Sequence, residues 1–162
     1  MTTKDYRQPT DIRWMLLPAL IAFWLLVELL VLIARQPISP VVALHAATAL
    51  TAVLLGTVAL SATKGSRLHR VAGYSWISLM SVVAISSFWI RTLPWFPGGF
   101  GPIHILSVTT LWSLVGGLVA ARQGRIQAHR TSMLMTLWGL LGAGVFTLLP
   151  HRLMGMIAWG GL

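Results

Sequence analysis

Residues 45–70 read HAATALTAVLLGTVALSATKGSRLHR, and residues 104–130 read HILSVTTLWSLVGGLVAARQGRIQAHR. Each stretch begins on a histidine and runs through an apolar segment of membrane length. Each then turns through a short basic sequence with a glycine, Lys64-Gly65-Ser66-Arg67 or Arg122-Gln123-Gly124-Arg125. Each ends on a His-Arg pair, His69-Arg70 or His129-Arg130. The interval from the first histidine to the turn glycine is 20 residues in both, from 45 to 65 and from 104 to 124. The pattern predicts a tandem two-helix repeat, with four of the five histidines at matched positions.

Composition sets the medium. The chain is 56 % hydrophobic and 9 % charged, with a mean hydropathy of +0.79, whereas a soluble domain carries roughly 25 % charged residues. These values predict an integral membrane protein, all-α, with residues 1–162 forming a single transmembrane domain. Five apolar runs are long enough to span, at about 14–34, 41–62, 71–91, 103–121 and 131–149, since a ~30 Å hydrocarbon layer needs about 20 helical residues. The first run is longer than a signal-peptide core, and no small-x-small site follows it. The absence of cysteine excludes disulfides, iron–sulfur clusters and thiolate metal sites.

The net charge of +9 reads as topology. Lys4, Arg7, Arg13, Lys64, Arg67, Arg70, Arg122, Arg125 and Arg130 fall on the side of the N-terminus, and only Arg35, Arg91 and Arg152 on the other. That asymmetry puts the N-terminus in the cytoplasm and the C-terminus outside. Membrane lipid with anionic headgroups is then the expected partner of the charge, and nucleic acid is not.

The loops agree with this layout. Pro37 and Pro40 end the first helix and start the second. The outer connection from Thr92 to Pro102 holds three prolines, three glycines and three aromatics, which suits an interfacial cap rather than a helix. Residues 151–162 are apolar but too short to span, and should lie along the outer interface. Helices 2–3 and 4–5 then run in the same sense, a parallel repeat about an axis along the membrane normal, with helix 1 outside it. Small residues form stripes at Ala49, Ala52, Gly56 and Ala59, at Thr136, Gly139 and Ala143, and at Ser113, Gly117 and Ala121. Such stripes serve close helix packing or leave clearance for a flat cofactor.

His45 and His104 begin helices at the outer face, and His69 and His129 begin helices at the inner face. In a pseudo-two-fold four-helix bundle, helix 2 lies across from helix 4, and helix 3 from helix 5. Each pair then converges near one leaflet. Imidazole is the common ligand of haem iron, and two opposed histidines leave no open coordination position, which suits electron transfer. For this geometry to reach an inner haem, helices 3 and 5 must start early, near Ser66 and Ile126. The competing readings are interfacial anchoring, with Arg70 and Arg130 on headgroup phosphates, and a non-haem metal site from His45, His104 and His151. His151 follows Pro150 without a repeat partner, and its default is a solvated interfacial role.

The motifs HRVAGY (69–74) and HRTSM (129–133), with His45 heading the preceding helix, resemble a bacterial family of small, uncharacterised predicted integral membrane proteins with HRxxG and HRxxM motifs. The resemblance spans about residues 41–154. In architecture the chain is also similar to the cytochrome b561 group of di-haem membrane electron carriers. That second resemblance implies two haem b groups, one held by His45 with His104 and one by His69 with His129. The first resemblance implies the bacterial cytoplasmic (inner) membrane as the location.

Glu28 is the only acid within a span. An acid at the bilayer centre costs on the order of 2.5–3.5 kcal/mol on insertion scales, so Glu28 either handles protons, for example at a quinone pocket, or makes a neutral or paired contact. Trp14, Trp89, Trp95 and Trp159 sit where belt residues sit. Trp76, Trp112 and Trp138 lie deeper and read as core. Met133 and Met135, near His129, are alternative soft ligands. The leading expectation is a transmembrane cytochrome exchanging electrons with quinone, a membrane oxidoreductase or electron-transfer protein. The rivals are a haem-free structural or assembly subunit contacting other membrane subunits, and a small proton-coupled transporter.

Overall fold

A computed structural model describes residues 11–91, 97–150 and 152–160. Among them there are helices and turns but no strand. The helices are α1 (Arg13–Arg35), α2 (Pro40–Ser61), α3 (Arg67–Ser86), α4 (Pro102–Arg122), α5 (Ile126–Thr147) and the short α6 (Leu153–Trp159). Single 3₁₀ turns follow α3 at Ser87–Trp89 and precede α4 at Pro97–Gly99. Lys4, Arg7, Trp95 and His151, all weighed above, lie outside the described residues.

Helix boundaries follow from local chemistry. Pro40 and Pro102 each occupy the first turn of their helices, where a missing N–H costs nothing and the fixed φ suits the helix. The Ser66 hydroxyl caps α3 by accepting the His69 N–H at 3.1 Å. The two inner turns pass through Gly65 at φ 78° and Gly124 at φ 73°, the left-handed conformation that glycine adopts without penalty. At the end of α2 the Lys64 ammonium donates to the carbonyls of Leu60 at 2.5 Å and Ala62 at 3.2 Å, which satisfies groups a helix end leaves unpaired.

Two antiparallel hairpins result, α2–α3 and α4–α5. They pack side by side through α3 and α4, while α2 and α5 touch much less, so the four helices form a ring with α2 across from α4 and α3 across from α5. α1 lies on α2, and α6 bridges α1 and α5. The core of the ring is built from Ala52, Val53, Trp76, Met80, Leu114, Leu137 and Leu140, with Met15 and Ala22 contributed by α1.

Four of these helices are long and apolar enough to cross a membrane: α1, α2, α3 with its 3₁₀ extension, and α4. α5 has the length, 22 residues. Its first turns, however, carry Gln127, His129, Arg130, Thr131 and Ser132, and it is not among the four. Large apolar side chains cover the outside, among them Leu20 at 67 % exposure, Ile105 at 68 % and Trp112 at 83 %. Trp112 and Trp138 were expected in the core. Trp76 alone of the three is buried; Trp112 faces outward, and Trp138 stacks on Trp14 of α1 at 4.9 Å instead of entering the ring.

With lipid outside, apolar burial gives little drive for helices to associate, and polar contacts acquire weight. Between α4 and α5 the Ser113 hydroxyl donates to the Ser132 carbonyl at 3.1 Å and accepts from Thr136 at 3.0 Å. Such interhelical bonds contribute roughly 0.6 kcal/mol each. A short hydroxyl–hydroxyl contact, Ser87 to Ser107 at 2.6 Å, joins the outer end of α3 to α4.

Candidate functional site

The inner histidines sit inside the first turn of their helices. α3 begins at Arg67 and α5 at Ile126, so His69 and His129 lie within regular helix. Both are half-buried. Their rings make the same contact. The His69 Nδ1 bonds the Ala59 carbonyl on α2 at 3.0 Å, and the His129 Nδ1 bonds the Gly117 carbonyl on α4 at 3.0 Å. A carbonyl only accepts, so in each ring Nδ1 carries the proton and Nε2 keeps its lone pair. His69 lies within electrostatic reach of Lys64 and, across the ring, of His129.

Lys64 lies in the turn itself. Burial and then the nearby charge of Arg130 hold its ammonium below the ordinary value of 10.5. The electrostatic influences on Lys64 and His69 come from bases alone, so the inner ends of the two hairpins bring positive groups together. Arg70 and Arg130 are exposed, and the Arg70 guanidinium donates to the Gly65 carbonyl at 2.6 Å.

The outer histidines are placed differently from each other. The His45 Nδ1 lies 3.0 Å from the Ser86 hydroxyl. That hydroxyl donates its own proton to the Val83 carbonyl at 3.1 Å, so it accepts from His45 and leaves the His45 Nε2 with a lone pair. His104 is 6 % exposed and folds back on the start of α4, its Nδ1 3.0 Å from the Gly101 N–H and 3.2 Å from the Gly101 carbonyl. Phe100 packs edge-on against its ring at 4.9 Å, and Phe88 lies at 5.8 Å. Its Nε2 is buried without a partner among the described residues.

A cavity of about 290 Å³ occupies the outer half of the bundle, along the loose α2–α5 seam. His45 lines it, with Ala46 and Ala49 of α2, Gly139, Ala143 and Gly144 of α5, and Ser107 and Thr110 of α4. His104 is not part of its lining. The outer pair therefore shares one end of the bundle, the end of α3 lying between its two members, while the inner pair is the one brought within electrostatic reach.

The small-residue stripes divide by depth. Their outer members, Ala49, Gly139 and Ala143, face the cavity. Their inner members fill contacts: a Cβ on Gly56 would come within 3.1 Å of the Trp76 indole nitrogen, and one on Gly117 within 3.0 Å of the Ser132 Cβ. Met133 packs against Gly117, and Met135 is 66 % exposed, so neither is set as a ligand beside His129. Among the described residues no group of three or more His, Asp or Glu could hold a metal ion. The alternative site from His45, His104 and His151 falls partly outside the described residues.

Ser86, Ser87 and Ser107 belong to these surroundings and are not marked out by the sequence reading, which places Lys64 in the basic turn without giving it a role at the histidines. Their signals were present: a serine pair at the end of the third span, a serine one turn after His104, and the lysine that opens the turn after the second span.

No curated protein matches the chain, and no solved structure matches it. A family model does match, over residues 42–159, which takes in both hairpins and α6 and omits α1. The chain therefore belongs to the family described as predicted membrane protein (DUF2306).

Proposed function

We propose that this protein is a small b-type transmembrane cytochrome, with His69 and His129 as ligands of an inner haem and His45 and His104 as ligands of an outer one, exchanging electrons with quinone in the bacterial cytoplasmic membrane. The observation that carries the reading is the state of the rings. His45, His69 and His129 each give the Nδ1 proton to an oxygen, the contact that orients a metal-bound imidazole and leaves Nε2 as the ligand atom. His104 differs from them: its Nδ1 accepts the Gly101 N–H at 3.0 Å, so its buried, unpartnered Nε2 carries the proton and must release it to take up a ligand role. His69 lies within electrostatic reach of His129 across the ring, and the outer half of the bundle holds a cavity that His45 lines and His104 does not. When bound, haem b would supply a reversible one-electron iron couple. The chain would contribute tautomer control, burial and the positive charge of Lys64 and Arg130, which favours the reduced state.

In this reading α5 is the fifth span. It is as long as α2 and packs antiparallel against α4, so it returns across the layer that α4 crosses, with its polar first turns at the inner interface. The two hairpins, each closed by a glycine turn and a histidine-to-carbonyl bond, are the copies of the repeat.

The same bonds favour one other reading. In a haem-free subunit, His69 and His129 would simply lock their hairpins. The visible spectrum of the detergent-purified protein, before and after dithionite, separates the two. A Soret band is expected, and His45→Ala and His69→Ala should each remove about half of it. His69→Gln keeps a donor for the Ala59 carbonyl and so should spare stability while still losing the inner half of the band. A colourless preparation from haem-replete cells overturns the cytochrome reading.

A further inference from the structure

The outer half of α1 carries Glu28, half-buried on the wall of a second cavity, of about 230 Å³, between α1 and α6. Two turns further out Arg35 lines the same cavity, about 10 Å along the helix axis, and Gln36 follows it. Val31, Met156 and Ile157 supply apolar walls. Among the described residues the Glu28 carboxyl makes no hydrogen bond and no ion pair. Carboxyls at membrane depth are ordinarily paired, or mark the path of a substrate or proton. Here the acid faces a cavity whose other polar groups, a guanidinium and an amide, stand well away from it.

We propose that this cavity binds the ring of a lipid-soluble quinone or quinol, with Glu28 at one ring oxygen and Arg35 and Gln36 at the other. The physiological sense of the site rests on the electron-transfer reading. A quinol hydroxyl donates to a carboxylate, and a quinone carbonyl accepts from a guanidinium or an amide. A flat apolar ring suits walls of Val31, Met156 and Ile157, and sites of this kind are apolar with a few polar groups that fix orientation. A phospholipid fits less well. At the depth of Glu28 it presents acyl chain and ester carbonyls, which offer a carboxylate no proton. The position also suits exchange: α1 and α6 wall the His45 cavity too, through Leu25 and Met154, so Glu28 lies within one helical turn of that cavity's lining.

The test uses the full chain in detergent micelles, titrated with decylubiquinone and followed by tryptophan quenching. Photolabelling with an azidoquinone and peptide mapping accompany it. Saturable binding is expected, with label on α1 or α6. Glu28→Gln and Arg35→Ala should each weaken binding about tenfold, the effect of losing one hydrogen bond to a charged group. Trp112→Phe, on the lipid face of α4, should leave it unchanged. Unsaturable partitioning, label confined to α2–α5, or affinities unmoved in both variants would overturn the proposal. Co-purification of phospholipid that depends on Glu28, without saturable quinone binding, overturns it as well. If Glu28→Gln fails to fold, Glu28→Asp and Arg35→Ala decide. A colourless protein that still binds quinone through Glu28 refutes the cytochrome and keeps the site. A coloured protein with quinone affinity indifferent to Glu28 refutes the site and keeps the cytochrome.

Discussion

At the residue scale the glycines separate cheap from costly contacts. Gly117 faces the end of the flexible Met133 side chain, which can move, and the Ser132 Cβ, which yields less. Gly155 faces backbone: a Cβ there would lie within 2.8 Å of the Leu149 carbonyl carbon. Overpacking costs about 1–3 kcal/mol, and rigid backbone puts Gly155→Ala toward the top of that range, with Gly117→Ala below it. Thermal unfolding midpoints in detergent should fall further for Gly155→Ala, and its C-terminal segment should become the first site of proteolysis. Equal midpoints would contradict the α6 packing described above. The four matched histidines and Glu28 were legible as candidates from spacing and hydropathy alone. Their partners were not. Ser86, Ala59 and Gly117 meet the rings through helix–helix contacts whose rotation no single-helix pattern fixes. For the same reason Trp112 and Trp138 read as core and face outward: depth along a helix is written in the sequence, while azimuth in a bundle depends on every neighbour.

At the scale of the element, the α2–α3 hairpin carries a titratable clasp. Lys64 caps the carbonyls of α2, yet burial and Arg130 depress its proton affinity. Between that lowered value and the ordinary 10.5, the unfolded chain holds the proton more tightly than the folded one. Stability from this group therefore rises as pH rises through the window, and the penalty is fully felt below it. The difference in unfolding midpoint between the native chain and Lys64→Met should shift in favour of the native chain as pH is raised toward the ordinary value of 10.5. A flat difference, or one of opposite sign, would show that Arg130 and burial do not act on Lys64. The hairpins themselves were readable from the sequence, since glycine turns and prolines at helix starts are local signals. The ring order, α2 across from α4 and α3 across from α5, follows from the repetition, whereas the looseness of the α2–α5 seam does not. The cavity along that seam is not legible in the sequence, because it arises from side chains of all six helices.

At the scale of the whole molecule, the nine-to-three distribution of basic residues and an odd number of spans make opposite predictions from an even number. With α5 crossing, a C-terminal alkaline phosphatase fusion should be active and a C-terminal green fluorescent protein fusion dark. The reverse would mean that α5 lies in the interface and that four helices cross. The stacked indoles of Trp14 and Trp138, at 4.9 Å and 15° between planes, bear on a different question. The first of these residues leaves the ribosome long before the second, since 124 positions separate 14 from 138. α1 is thus inserted early and cannot make this contact until nearly all of the chain has been synthesised. The hairpins close by local contacts as they emerge, and the clasp between the first and fifth helices is a late event of biogenesis, one that a truncated or stalled chain never reaches.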